Sequence, residues 1–167
     1  MNFIYNDGGR KDAGYTNITG DCVVRAIAIA TEQPYQIVYD AINEAAKGER
    51  RGKRKRGISS ARDGVYKRTI HRYLKTLGWA WVPTMHIGSG CKVHLTDGEL
   101  PMGRLIVSVS KHLTAVIDGV IHDTHDPQRE PKAIIGPRII VDGRGQQRNE
   151  ILGMIGGRCV YGYWRKP

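Results

Sequence analysis

The sequence predicts an α+β fold, and three observations carry that expectation. Helical patterning fills the first half of the chain. The clear strand patterns come after residue 100. An Asp-Gly pair, Asp118-Gly119, sits between two short β-rich runs as a two-residue hairpin signal. Helices first and strands later suggest an N-terminal helical part packed on a C-terminal antiparallel sheet.

The first helix runs from Cys22 to Thr31, where only Arg25 and Thr31 are strongly polar. A helix apolar nearly all round is a buried one. Thr19, Gly20 and Asp21 precede it as turn and N-cap residues. A second helix starts at Pro34, since proline suits the first helical position. Tyr35, Val38, Ile42 and Ala45 lie along its inner face, and Gly48 can end it. Val65 to Leu77 reads as a third helix, with Ile70, Tyr73, Leu74 and Leu77 inward and Gly78 as its stop. Trp79 to Val82 reads as a strand. Leu105–Ser110, His112–Ile117, Val120–Thr124 and Val160–Trp164 complete the strands. Between Asp126 and Arg158 only Ile139–Val141 forms a short apolar piece, so residues 127–157 read as a surface excursion.

At 167 residues and 40% hydrophobic, the chain fits one domain with one core. Its cysteines are Cys22, Cys91 and Cys159. So few, and odd in number, they argue against a disulfide framework and for a reducing, cytoplasmic setting. No apolar run approaches the roughly 20 residues of a membrane helix, and the N-terminus lacks a signal-peptide pattern.

The net charge is +10, and it is local. Residues 47–75 hold twelve Lys or Arg against Glu49 and Asp63, and the rest of the chain is balanced. Within that stretch Arg50, Arg51, Lys53, Arg54, Lys55 and Arg56 cannot bury themselves. Residues 47–62 therefore read as an exposed basic loop, either merely solvated or contacting nucleic acid or an acidic protein. No complete nucleic-acid motif accompanies it.

The chemistry-bearing residues are Cys22 and His112. A thiol is a strong nucleophile only as thiolate, and the partial positive charge of a helix N-terminus favours that form. A histidine can take the proton, and a third group must then orient the imidazole. Residues summing to about 237 face each other across an Asp118-Gly119 hairpin, which brings His112 opposite Thr124 or His125. Asp123 is then in reach, with Asp126 as the rival. The plain alternative for Cys22 is a small buried residue in a core helix. Cys91 and His94 have a C-x-x-H spacing, but a structural zinc site normally shows two tight ligand pairs, and only one is present.

Asp21-Cys22 at the head of a buried helix, His112 with Ala115-Val116 at a strand start, and Asp123-Thr124-His125 resemble the papain-like cysteine peptidases. The likeness is to their compact bacterial and phage forms, and to the peptidase domains of bacteriocin exporters. The matching stretches cover about a third of the chain. The resemblance implies a thiol hydrolase acting on a peptide or isopeptide bond, with acyl transfer to an amine as near neighbour. Cys22 is then the nucleophile, His112 the general base and acid, and Asp123 the orienting group, with no cofactor or metal. The family usually carries a glutamine six residues before the cysteine for its oxyanion hole. Thr16 stands there, leaving Asn17, or more weakly Thr19, beside the Cys22 amide as donors. Losing one such donor costs roughly 10²–10³ in rate. Asp21 is also adverse, since a neighbouring carboxylate opposes a thiolate. The contrasting expectation is a non-catalytic binding or inhibitory protein, of phage or plasmid type, that works through its basic segment.

Overall fold

The computed structural model describes residues 1–50, 57–141 and 143–167, with the side chains of 131–134 and 151–155 left aside. It is α+β. Three helices, α1 (Cys22–Thr31), α2 (Tyr35–Lys47) and α3 (Lys67–Thr76), pack on a six-stranded sheet. Its strands are β1 (Asn2–Tyr5), β2 (Ala80–Pro83), β3 (Arg104–Val109), β4 (His112–Ile117), β5 (Val120–Asp123) and β8 (Val160–Arg165), ordered β1-β5-β4-β3-β8-β2. A separate two-stranded sheet is formed by β6 (Pro131–Val141) and β7 (Gln147–Gly156). Among the described residues no helix is long and apolar enough to cross a membrane.

The alternation of side chains along the central strands splits the core in two. Ile106, Leu113, Ala115 and Trp164 face the helices, where Val24, Ile27, Val38, Ile42, Ile70 and Leu74 meet them. Leu105, Val107, Val116 and Ile121 face the other way and are covered by Leu95 and its flanking loop. Helix α1 is buried from Val23 to Ala30, as its all-round apolar pattern predicts. The helix has no basic residue in its last turn. Arg104 of β3 supplies one instead, donating from Nε to Ala30 O and from Nη2 to Ile29 O, both at 2.9 Å.

Several expectations need correction. The sheet is mixed, because the N-terminal residues Asn2–Tyr5 add a strand parallel to β5. Its exposed pattern gave no alternation to read. The region 127–157 contains the β6–β7 ribbon, whose irregular register between Ile134 and Ile139 breaks the strand pattern. Pro34 is the N-cap of α2, in an extended conformation, and not its first helical residue. Cys91 and Cys159 are joined in a disulfide, against the expectation from the cysteine count. Backbone hydrogen bonds from Leu95 to Arg158 and from Val160 to Val93 draw the two segments together and leave the Cα atoms 5.8 Å apart.

The described part of the basic loop is anchored to the fold. Glu49 accepts hydrogen bonds from the Ser59 amide at 2.7 Å, the Ser59 hydroxyl at 2.6 Å and the Thr69 hydroxyl. Ala61 is fully buried. The basic positions Arg51, Lys53, Arg54, Lys55 and Arg56 lie outside the described residues.

Candidate active site

Three elements meet at Cys22. It is the first residue of α1, half-buried, where the helix amides are unsatisfied and favour an anion. Helix α1 lies across β4, the strand that His112 opens, and β5 ends at Asp123. The hairpin register matches the sequence expectation: Ala115 faces His122, Val116 faces Ile121 and Ile117 faces Val120. Asp118 and Gly119 both take positive φ at the turn, which the Asp-Gly pair tolerates.

His112 Nε2 lies 2.7 Å from Asp123 Oδ2, with both side chains largely buried. The other ring nitrogen is left for the thiol, and Cys22 and His112 line one cleft, near enough for each to shift the other's titration. Burial by itself would push the Cys22 thiol up. The bonds to His112 and to the Leu113 amide, with the charges of His112 and Arg25, more than offset it and hold the thiol below its ordinary value. Burial likewise opposes a charged His112, but hydrogen bonds to Asp123 and Cys22 and their charges raise it to about 9. Asp123 is held below the ordinary carboxylate range, burial being outweighed chiefly by the His112 bond. These directions favour a thiolate–imidazolium pair backed by a carboxylate.

Asp123 is itself fixed. Its Oδ1 accepts from the Thr124 amide at 2.7 Å, and its carbonyl accepts from the Asn6 amide at 2.8 Å. Strand β1 therefore clamps the backbone that carries the orienting acid. Asp126, the rival, instead accepts from the Gln128 amide at 2.9 Å and from the Gln128 side chain.

Asp21 is not the adverse neighbour that the sequence suggests. It is 1% exposed, and its carboxylate is fully used. Arg10 Nε donates to Oδ2 at 2.7 Å, Tyr35 Oη donates to Oδ2 at 2.6 Å, and Arg25 Nη1 donates to Oδ1. Two guanidinium groups therefore neutralise it. Asp21 sits at the N-cap of α1, yet its side chain makes no capping bond, because these partners take it. Arg25 Nη2 also stands 3.8 Å from Asp123 Oδ1. Charges alternate along the series Arg10, Asp21, Arg25, Asp123, His112 and Cys22. Sequence reasoning missed Arg10, Arg25 and Tyr35. The one signal was Arg25 itself, an arginine inside an apolar helix, which demands a buried partner.

The thiol opens on a cleft of about 600 Å³, walled by Thr19, Gly20, Val65, Ile70, Tyr161 and Trp164, with Lys67, Lys111 and His125 at its sides. Asn17 does not line this cleft. It lines two neighbouring hollows with Arg10 and Tyr15, and Arg10 donates to its backbone carbonyl. The structure thus brings Cys22, His112 and Asp123 together and leaves Asn17 to one side. Thr19 lines the cleft, and the Cys22 amide lies at its helix head. The exposed His125 packs its ring against that of His112, with centroids 4.8 Å apart.

Among the described residues His112, Asp123 and His125 have ligand atoms within 4.8 Å of one another. A metal there would have to displace the His112–Asp123 hydrogen bond. Cys91 is tied up in the disulfide, and His94 faces Glu99 across 3.3 Å. Of the basic positions, Arg50 lines a separate hollow with Tyr66, Lys67, Arg68 and Arg72.

No protein-family model, curated protein or solved structure matches this chain.

Proposed function

We propose that this chain is a papain-like thiol hydrolase that cleaves a peptide or isopeptide bond. One observation carries the reading: a cysteine at a helix N-terminus shares a cleft with a histidine whose Nε2 meets a buried carboxylate at 2.7 Å. In the reaction the Cys22 thiolate attacks the substrate carbonyl carbon, and the carbonyl oxygen takes up the negative charge. The His112 imidazolium gives its proton to the leaving amine, and the C–N bond breaks to leave a thioester. Neutral His112 then removes a proton from water. The resulting attack cleaves the thioester and returns the thiolate and imidazolium. An amine in place of water gives acyl transfer. Asp123 holds the ring orientation throughout. The Cys22 amide is one oxyanion donor, and Thr19 is the side chain nearest in role to the second.

The test is the rate of Cys22 alkylation against pH, read peptide by peptide, with His112→Ala as control. Labelling that persists well below the ordinary thiol range near pH 8.5, and weakens without His112, supports the reading. An ordinary thiol profile overturns it.

A second reading is a binding protein that keeps the fold without turnover. The position of Asn17 outside the cleft favours it. Under that reading Cys22→Ala leaves function intact and neutralising the basic segment removes it.

A further inference from the structure

Helix α3 begins with Lys67 and Arg68 and has no acidic residue in its first turn and no side-chain cap. Two cations at the positive end of a helix oppose its dipole, so local stability does not account for them. Lys67, Arg68 and Arg50 are exposed, and no carboxylate pairs with any of them among the described residues. With Arg72 they line a hollow of about 660 Å³ whose one acid, Glu49, is engaged by Ser59 and Thr69.

Lys67 lines both this hollow and the cleft of Cys22. The two therefore adjoin at Lys67. The cleft also carries Lys111, and its own acid is Asp63, which lies 3.2 Å from the Ser60 hydroxyl. The open rings here are Tyr66, which is exposed, and Tyr161, which is half-buried at the cleft. Lys67 Nζ sits 3.9 Å over the Trp81 ring, Trp164 is 1% exposed, and the Tyr66 hydroxyl donates to Gly57 O. Cations without carboxylate partners, beside only two open rings, suit carboxylates on a polypeptide better than bases on a strand.

We propose, resting on the thiol-hydrolase reading, that the substrate is an acidic polypeptide. Its carboxylates are held by Lys67, Arg68 and Arg50 beside α3, while its reacting carbonyl lies at Cys22.

The experiment uses the full chain carrying Cys22→Ser, which binds without turnover. Fluorescence anisotropy compares a labelled peptide containing six glutamates, its six-lysine counterpart and a single-stranded oligonucleotide of matched charge. The glutamate peptide should bind best, and Lys67→Glu with Arg68→Glu should weaken it about tenfold or more. Acidic residues suit the first turn of a helix, so this double variant should fold. On the chain with Cys22 intact, saturating glutamate peptide should slow iodoacetamide labelling of Cys22 at about pH 8.5, where an ordinary thiol also reacts. The double variant should lose that protection. Tighter binding of the oligonucleotide, unchanged affinity in the double variant, or binding without protection overturns the proposal. An ordinary Cys22 pH profile with peptide binding and protection retained overturns the hydrolase reading alone.

Discussion

Arg25 and Asp123 face each other across 3.8 Å, so the guanidinium that Asp21 holds in the first turns of α1 also touches the field of the carboxylate that orients His112. Arg25 is 8% exposed, and its charge also favours the Cys22 thiolate. Helix α1 thus carries its own counter-charge to the acid on β5.

Arg25→Met tests this link. The substitution keeps most of the packing volume and leaves Asp21 with Arg10 and Tyr35 alone. Removing one partner from a buried ion pair costs about 3 kcal/mol or more. Urea denaturation should show that loss. The Cys22 thiol should also titrate higher, as read by alkylation against pH. Wild-type stability in the variant would mean that Asp21 needs only its other two partners.

The His112–Asp123 pair makes stability depend on pH in a definite direction. His112 rises from its ordinary 6.5 to about 9 in the folded chain. Its contribution is therefore fully present below pH 6.5 and is lost as pH rises through 9. A Cys22→Ser background removes the thiol from the titration. It also removes one of the causes that raise His112, which lowers the upper end of that window. Within that background, the unfolding free energy relative to a His112→Gln chain should decline across the window. A difference that stays flat with pH would show that the imidazole gains no charge stabilisation on folding. Asp123→Asn should return His112 toward 6.5, followed by the imidazole proton resonances.

The Cys91–Cys159 bond closes 68 residues of chain. In the chain-entropy description a loop of that length is worth about 4 kcal/mol. Reduction should therefore lower the denaturation midpoint substantially. It should leave the pH profile of Cys22 alkylation unchanged, because neither cysteine lines the cleft. A shifted Cys22 profile on reduction would mean that the disulfide region supports the site.

Gly162 leaves no room for a side chain. A Cβ there would stand 2.3 Å from Trp81 Cζ2 and 2.6 Å from Val82 O, at φ +148°. Overpacking and strained backbone together should cost Gly162→Ala roughly 3 kcal/mol or more. Thermal denaturation reads the loss, and Trp81→Leu in the same chain should recover part of it by clearing the ring.

How much was legible follows from the range of each interaction. The bounds of α1, Cys22–Thr31, were written in a run of apolar residues between a turn and a change of pattern. The register of the β4–β5 hairpin followed from Asp118-Gly119, because a two-residue turn fixes which residues face each other. That local rule alone put Asp123 within reach of His112. Other features needed the folded chain. Strand β1 shows no alternation, and it exists because the β5 edge offers hydrogen bonds to it. Asp21 read as a hindrance until Arg10 and Tyr35, 11 and 14 residues away, converged on it. Cys91 and Cys159 are adjacent only because Val160 and Leu95 are bound to each other's neighbouring segments. The sequence by itself determined the helix that presents the thiol and the hairpin that presents its acid. Tertiary structure decided that the two meet and how the charges behind them are balanced, because those contacts join residues whose separation no local pattern encodes.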